Sequence, residues 1–220
     1  SESQKRGAFQ AINTHPNILH IESATRVCSV ALARGGELLA FRELVGEKYS
    51  HSGTLTLFIG EVMQESGMQF SDLHAVAVSK GPGSYTGLRI GVSVAKGLCY
   101  GLEIPLIAVE TLHSMARYCR DTMKNEPRIL SPLALEACYC PMIDARRMEV
   151  YCSVYSASLE VMHPTDAVVV NEDTFKDLLE NHKVFFFGDG AAKCQSTISG
   201  FNALFLSENM ISARGMIPLA

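Results

Sequence analysis

A glycine-rich segment at residues 81–91, with the sequence GPGSYTGLRIG, has the residue types and spacing that could bind an anion. It follows an apolar run at residues 75–78 and leads into a helical pattern that reaches Cys99. Glycine permits close approach of the backbone, and Ser84 or Thr86 could cap the following helix. Such a turn directs free backbone N–H groups and a helix dipole outward, the arrangement that binds phosphate. A tight strand-to-helix connection that binds nothing is an equally good interpretation.

The spacing of the glycines matches neither of two common phosphate-binding motifs. A P-loop ends in Gly-Lys-Ser/Thr, and the dinucleotide-binding fingerprint places its three glycines in a different rhythm. We therefore predict a structural turn that holds no phosphate tightly, built by Gly81, Pro82, Gly83 and Gly87.

The remaining residue types that could do chemistry form no recognisable site. The seven cysteines are odd in number and include no Cys-x-x-Cys pair, so we expect reduced thiols in a cytoplasmic protein. Cys138 and Cys140 could face one side of a strand, but a metal site there is disfavoured. Spacing alone reveals no Ser-His-Asp or Cys-His arrangement, because such residues converge only in space.

Length and charge restrict the class of protein. A chain of 220 residues can form one large domain or two small lobes with a sizeable core. The net charge of −4 argues against autonomous binding of nucleic acid, which usually needs a basic face. No apolar run approaches the roughly 20 residues of a membrane span. Residues 1–17 are mostly polar, and we expect a leader or a disordered extension there.

The elements that must position these residues are strands and helices in mixed order. Apolar runs predict strands at residues 18–21, 27–33, 37–44, 75–78, 106–109, 133–143, 149–155, 167–170 and 184–187. Periodic apolar residues predict helices at 54–65, 86–99, 111–119, 172–180 and 191–198, with Asn171 as a cap. Gly35 and Gly36 predict a hairpin turn. The charged, proline-bearing stretch 121–132 predicts a boundary between lobes at residues 18–121 and 131–220.

The predicted helix at residues 86–99 is apolar on two sides. One stripe consists of Leu88, Val92, Ala95 and Cys99. The second consists of Ile90, Val94 and Leu98. Gly87 and Gly91 are spaced so that another backbone could approach their face. A helix that is apolar on both sides is usually buried on both, so the second stripe meets either more of the same chain or a partner.

Several segments together resemble the TsaB (YeaZ) family. The glycine segment looks like the signature of that family, and ILHIESA at residues 18–24 resembles its first strand. Similarity extends to EKYSHS at 47–52, VETL at 109–112 and MIDARRMEVY at 142–151. The resemblance runs from about residue 18 to residue 220. Members of the family help to build threonylcarbamoyladenosine on tRNA and are inactive relatives of the TsaD (Kae1) catalytic subunit.

The resemblance implies a fold and a binding surface. The fold is α/β, of the actin-like or ribonuclease H-like (ASKHA) type, with two lobes of mixed sheets flanked by helices. The helices at 54–65 and 86–99 would bind the TsaD-like subunit or, without it, a second copy of the chain. The interface residues implied are His51, Leu55, Phe58, Ile59, Val62, Thr86, Arg89, Ile90, Val94 and Leu98. We expect the anchors to be Leu55, Phe58, Val94 and Leu98.

The resemblance also separates this chain from its catalytic relatives. Those proteins hold a metal with a His-x-x-x-His pair, and the two positions fall here on Thr111 and Met115, which are not usable ligands. Neither a catalytic residue nor a metal ligand is therefore expected. The first hairpin has no glycine at residues 22–27 to admit a phosphate, which disfavours kinase chemistry. Residues that could still lie near a nucleotide are Ser23, Thr25, Asp144 and Arg146. For Asp144 and Arg146, together with Arg147, a salt-bridged hairpin is the favoured interpretation over a ligand role.

These expectations combine into a non-catalytic scaffold that docks on and activates the TsaD-like subunit, joined by a TsaE-like ATPase. We expect no tightly bound cofactor. If a nucleotide binds, we expect ATP or ADP at the interface with the partner subunit. Contact with tRNA is expected only through the complex. A homodimer is expected when the chain is alone, and no membrane is involved. The alternative is an enzyme with weak nucleotide hydrolysis or M22-type peptidase activity. A third possibility is a homodimer with a separate regulatory role.

Overall fold

The structure is a computed structural model that describes residues 15–46, 51–125, 136–207 and 210–220. The strands of its first half are β1 (Asn17–Glu22), β2 (Val27–Arg34), β3 (Glu37–Val45), β4 (Ala75–Ser79) and β5 (Leu106–Val109). The helices there are α1 (His51–Ser66), α2 (Tyr85–Leu102) and α3 (Thr111–Asn125), with a 3-10 turn at Phe70–Asp72. The strands of its second half are β6 (Cys138–Asp144), β7 (Glu149–Tyr155), β8 (Val161–Val169), β9 (Val184–Phe187) and β10 (Ala203–Phe205). The second half also contains α4 (Lys176–Asn181), α5 (Ala191–Cys194) and a 3-10 helix at Ala213–Leu219.

The first sheet has the strand order β3-β2-β1-β4-β5. Its first three strands are antiparallel neighbours, whereas β4 pairs parallel with β1 and β5 pairs parallel with β4. The turn between β2 and β3 uses Gly35 and Gly36, whose φ angles of 56° and 87° are left-handed values that favour glycine. The predicted hairpin turn is therefore confirmed.

The second sheet repeats the arrangement of the first. Its order is β10-β9-β6-β7-β8. Read from β8, and with the strands of each sheet numbered along the chain, this order is 3-2-1-4-5, as in the first sheet. Here β6, β7 and β8 are antiparallel neighbours, β9 pairs parallel with β6, and β10 pairs parallel with β9. The chain thus contains two mixed sheets of the same topology, each flanked by helices.

The core joins these layers. Helices α1 and α2 pack on the first sheet through an apolar cluster that includes Leu19, Leu55 and Ala95. Helix α3 lies between the sheets, because its buried Met115 shares a cluster with Val27 of the first sheet and Tyr139 of the second. Across the described parts of the chain, no helix combines the length and apolar character needed to cross a bilayer.

The last 3-10 helix returns to the first sheet. Its Met216 packs against Ala77 of β4, and the Ala213 N–H donates a hydrogen bond to Ser29 Oγ of β2 at 3.0 Å. Residues 213–219, which were expected in the second lobe, therefore complete the first. The predicted boundary at 121–132 stays a prediction, because residues 126–135 lie outside the described parts.

Several element boundaries differ from the predictions. Strand β8 begins at Val161 rather than at residue 167, and its mostly exposed side chains explain why no apolar run marks it. Helix α4 begins only at Lys176, because the Asn171 side chain accepts the Asp173 N–H at 2.9 Å and holds a turn instead. The helix expected to reach residue 198 ends at Cys194.

Three further differences concern the ends of elements. Strand β1 begins at Asn17, inside the expected leader, while residues 1–14 lie outside the described parts. Helix α3 continues past residue 119 to Asn125. Strand β6 begins at Cys138, and residues 133–135 of the strand predicted there are not described. Strand β10 and the last 3-10 helix were not predicted.

Candidate functional site

The glycine turn connects β4 to α2, as predicted. Ser84 is the N-cap of α2, and its Oγ accepts a hydrogen bond from the Gly87 N–H at 3.3 Å. A Cβ at Gly83 would collide with the carbonyl oxygen of Ala24, so this position requires glycine. The turn therefore packs directly against the loop between β1 and β2.

This loop uses part of the hydrogen-bonding capacity that the turn would offer an anion. The Ser84 N–H donates to the Ala24 carbonyl at 2.6 Å, so this donor is not open to an anion. At the other end of the turn, the Thr111 N–H of α3 donates to the Gly81 carbonyl at 3.0 Å. Both contacts connect the turn to its own chain. They favour the interpretation of Gly81, Pro82, Gly83 and Gly87 as a structural turn.

The buried face of α2 is lined by small residues at a spacing of four, namely Gly87, Gly91, Ala95 and Cys99. Ser23 Oγ donates a hydrogen bond to the Gly87 carbonyl at 2.9 Å, and a Cβ at Gly91 would overlap the same Ser23 Oγ. The close approach to this face that the sequence predicts is therefore made by Ser23, in the loop that follows β1. Leu88 and Val92, which were assigned to the buried stripe, are only half-buried.

The other side of α2 is open. Ile90, Val94 and Leu98 are half-buried, with one side against the first core. A shallow depression of about 390 Å³ is lined by Tyr85, Thr86, Arg89, Ile90, Ser93 and Val94, and we call these six residues the α2 surface. Tyr85 is 75% exposed, and the Arg89 guanidinium carbon lies 5.3 Å from the centre of its ring. Cation–π contact orients both side chains on the surface.

The predicted interface residues of α1 are largely wrong. Leu55, Ile59 and Val62 are buried in the first core, because the apolar stripe of this helix faces its own sheet. Phe58 is half-buried against the same core. The side chain of His51 lies outside the described parts. Exposed large side chains that the sequence analysis missed are Leu57, Tyr85 and Tyr100, which lie opposite the buried faces of their helices.

Two of the candidate nucleotide residues belong to the loop between β1 and β2. Ser23 is fully buried and its hydroxyl is used in the contact with α2. Thr25 is 9% exposed, and its Oγ1 accepts the Val27 N–H at 3.2 Å. These side chains support the local backbone.

The other two candidates form the turn between β6 and β7. Asp144 is in ionic contact with Lys193 and also accepts the Arg146 N–H at 3.0 Å. The contact with Lys193 lowers the pKa of the Asp144 carboxyl. Asp189 Oδ1 accepts the Asp144 N–H at 2.9 Å. The prediction of a hairpin bridged by Arg146 or Arg147 is therefore wrong, because the cation paired with Asp144 is Lys193 of α5, which lies outside the hairpin.

The two positions that carry metal-binding histidines in catalytic relatives are buried here. Thr111 begins α3, and Met115 packs in the core between the sheets. His113 is half-buried, and its ring stacks on Tyr155 with 5.2 Å between centres. Within the described residues, no three His, Cys, Asp or Glu side chains are placed to hold a metal ion.

A buried carboxyl lies next to the glycine turn, and the sequence analysis missed it. Glu22 ends β1, and its Oε1 accepts the Ala24 N–H at 2.6 Å. Burial raises the pKa of Glu22 to about 7, although hydrogen bonds from Ala24, Ser79 and Ser23 act in the opposite direction. Burial also lowers the pKa of the neighbouring His20 to about 4. Charged residues at strand ends are usually exposed, so the pattern gave no signal for Glu22.

Glu22 predicts a pH dependence of stability. Because its pKa is raised in the folded chain, the unfolded chain loses this proton first, and the stability contributed by Glu22 falls as pH rises from about 4.5 to about 7. Glu22→Gln should remove this loss, which corresponds to about 3 kcal/mol. We expect thermal unfolding at pH 5 to pH 8 to show that Glu22→Gln is more stable than the wild type by an amount that grows with pH. Above pH 7.5 this difference in stability should stay constant.

Both proteins retain His20, whose lowered pKa contributes stability that rises with pH between about 4 and 6.5, so the difference isolates Glu22. A stability difference between the two proteins that does not change with pH, or that shrinks as pH rises, would contradict the raised pKa of Glu22.

Comparison with known proteins adds a family context to this geometry. Residues 47–208 match the family model described as TsaD: tRNA N6-adenosine threonylcarbamoyltransferase. The chain is 38% identical over 139 residues to the tRNA threonylcarbamoyladenosine biosynthesis protein TsaB of Escherichia coli (strain K12), a match that covers 63% of this chain and 54% of that protein. The chain thus spans about half the length of that relative.

A second relative is covered more fully. The chain is 32% identical over 207 residues to TsaB of Bacillus subtilis (strain 168), which covers 92% of this chain and 80% of that protein. Among solved structures, YeaZ from Pseudomonas aeruginosa aligns with a TM-score of 0.72 at 23% identity, over 93% of this chain and 90% of that one. Together with the repeated sheet topology, this likeness confirms the two-lobed actin-like fold.

Proposed function

The chain belongs to the TsaB (YeaZ) family, and we propose that it is a non-catalytic scaffold subunit in the synthesis of threonylcarbamoyladenosine on tRNA. Its curated relatives are named as biosynthesis proteins for this nucleoside, which supports a role in that modification. Two features support the scaffold role: one side of α2 is open, and the polar residues considered for chemistry make their contacts within the chain.

The observation that carries the proposal is the α2 surface. Ile90 and Val94 keep one side exposed between Tyr85 and Arg89, while the opposite face of the helix is fully occupied by its own sheet. Aromatic and arginine side chains around a small apolar centre are typical of sites where a protein partner binds. We infer that a TsaD-like subunit covers this surface and that a second copy covers it when that subunit is absent.

Catalysis by the chain itself is disfavoured by the residues near α3. Thr111 and Met115 are buried in packing positions and cannot serve as the metal ligands of the catalytic relatives. The residues considered for nucleotide contact, Ser23, Thr25 and Asp144, are used in contacts within the chain. ATP or ADP would therefore bind only with a contribution from the TsaD-like subunit, and a TsaE-like ATPase would join the same assembly.

Contact with tRNA would also depend on the partner. The chain carries a net charge of −4, and binding to the phosphate backbone needs clustered lysine or arginine side chains. The proposed role therefore assigns RNA recognition to the assembly.

The proposal predicts association with the transferase subunit. When the purified chain is mixed with the TsaD-like subunit of the same organism, we expect one co-eluting peak in size-exclusion chromatography with light scattering. We also expect that adding the TsaE-like ATPase, ATP, tRNA and the substrates yields threonylcarbamoyladenosine only when this chain is present.

The matched control is Phe201→Glu, because Phe201 is 95% exposed on the second lobe and away from α2. This variant should co-elute and support synthesis as the wild type does. Separate elution of two folded proteins would refute the scaffold role. Nucleotide hydrolysis or peptide cleavage by the lone chain would favour the enzymatic alternative.

A further inference from the structure

A run of hydrogen bonds connects the buried Glu22 to the first turn of α2. The Ala24 N–H donates to Glu22 Oε1 at 2.6 Å, and the Ala24 carbonyl accepts the Ser84 N–H at 2.6 Å. Ser84 is the N-cap of α2, and its Oγ accepts the Gly87 N–H at 3.3 Å. The contacts of Glu22 therefore reach the helix that carries the α2 surface, which begins at Tyr85, directly after the cap.

The loop between β1 and β2 is attached to α2 at a second point. Ser23 Oγ donates a hydrogen bond to the Gly87 carbonyl at 2.9 Å. Tyr85 and Thr86 of the α2 surface lie between this point and the cap at Ser84. The position of the loop therefore determines where these two side chains are presented.

The Glu22 carboxyl is poorly prepared to carry a charge. It is fully buried, and its Oε2 has no hydrogen-bond partner among the residues that the structure describes. Burial of a charge that is not fully paired is costly, which is why the pKa of Glu22 is raised to about 7. Loss of the proton therefore favours a movement of the loop that brings Oε2 into contact with water.

The groups that face Glu22 do not titrate between pH 6 and pH 8. His20 lies on the same side of β1, and burial lowers its pKa to about 4, so its ring is neutral there. Burial and the Glu22 charge raise the pKa of Cys28 of β2 to about 11. Ser79 of β4 is a hydroxyl, and no charged side chain of the described residues acts on the Glu22 pKa. Glu22 is therefore the group that changes its charge in this range.

We propose that Glu22 is a positioning residue for the α2 surface, which holds the loop between β1 and β2 against the start of α2 while it is protonated and releases the loop when it is ionised. The inference rests on the proposed function, because that function assigns the α2 surface to the TsaD-like subunit. The subunit would bind the protonated form, so its apparent affinity would follow the fraction of the chain that carries this proton.

The coupling is tested first in the lone chain by hydrogen–deuterium exchange of the wild type and Glu22→Gln. Glutamine has the same shape, keeps an oxygen for the Ala24 N–H and carries no charge. The two proteins should exchange alike at pH 6. At pH 8 the wild type should exchange roughly tenfold faster in peptides that cover residues 22–26 and 83–91, because the ratio of ionised to protonated carboxyl rises tenfold per pH unit. Equal exchange at pH 8, or a difference that extends over the second sheet, overturns the proposal.

Binding of the TsaD-like subunit is measured with the same two proteins. Between pH 6 and pH 8 the Kd of the wild type should rise about tenfold more than that of Glu22→Gln, as expected for a group with a pKa of about 7. Glu22→Leu offers the Ala24 N–H no acceptor and should bind weakly at both pH values. Identical pH profiles of the wild type and Glu22→Gln refute the positioning role.

The matched control is Val184→Ala, because Val184 is equally buried but lies in β9 of the second sheet. This variant is less stable than the wild type and should keep the pH dependence of wild-type binding, and circular dichroism confirms that each variant is folded. Loss of that pH dependence in Val184→Ala would mean that it reflects stability in general and would contradict the role of Glu22. Absence of binding by both the wild type and Glu22→Gln at either pH refutes the proposed function, and the exchange experiment on the lone chain then still decides the role of Glu22.

Discussion

Gly91→Ala is expected to destabilise the fold, and Gly91→Val more strongly, by about 3 kcal/mol. The added Cβ would overlap Ser23 Oγ, which is buried and already bonded to the Gly87 carbonyl. Relief would require Ser23 to rotate and leave that hydrogen bond. Urea unfolding followed by circular dichroism measures the loss directly.

A control on the same helix has the opposite sign. Gly97 has open space around its Cα, so Gly97→Ala should stabilise the chain by up to about 1 kcal/mol through helix propensity. Ser23→Ala should also reduce the cost of Gly91→Ala, because it removes the overlapping oxygen, and a double-mutant cycle would show this coupling. Equal effects at the two glycines, or additive effects with Ser23, would mean that the contact does not limit the packing of α2.

Val94→Glu is expected to yield a folded monomer that no longer binds the TsaD-like subunit. Val94 lines the α2 surface and is half-buried, so the new carboxylate can reach solvent in the monomer but not in an interface. Substitution at the centre of an interface typically costs about 2 kcal/mol or more, roughly a thirtyfold loss of affinity. Light scattering at tens of micromolar should show a dimer for the wild type and a monomer for Val94→Glu.

Phe201→Glu should remain dimeric, because it adds the same charge at an exposed aromatic position outside the α2 surface. A monomeric wild type would show that the chain does not use this surface for itself, and normal assembly of Val94→Glu would show that no partner covers it.

Much of the fold could be predicted from continuous apolar runs. Residues 27–33, 75–78 and 184–187 are buried strands, as their composition indicates. The first part of strand β8, residues 161–166, escaped prediction because this edge strand has mostly exposed side chains, and its position follows from pairing with β7. Such pairing depends on residues far away in the sequence.

The candidate surface was predicted less well, for two physical reasons. On α1, the apolar stripe that suggested a partner is the stripe that the helix needs for its own sheet, as Leu55 and Val62 show. On α2, the residues closest to the sheet are Gly87 and Gly91, and glycine carries no side chain that could mark a buried face.

The return of the last 3-10 helix to β2 and β4 has a consequence for biosynthesis. The strands of the first sheet leave the ribosome long before residues 213–219, whose Met216 and Ala213 complete the packing and hydrogen bonding of that sheet. The first sheet therefore waits until residues 213–219 have been translated before its last contacts form. A nascent chain released after residue 207 would leave Ala77 and Ser29 uncovered, and such an intermediate is the species that chaperones and proteases would recognise.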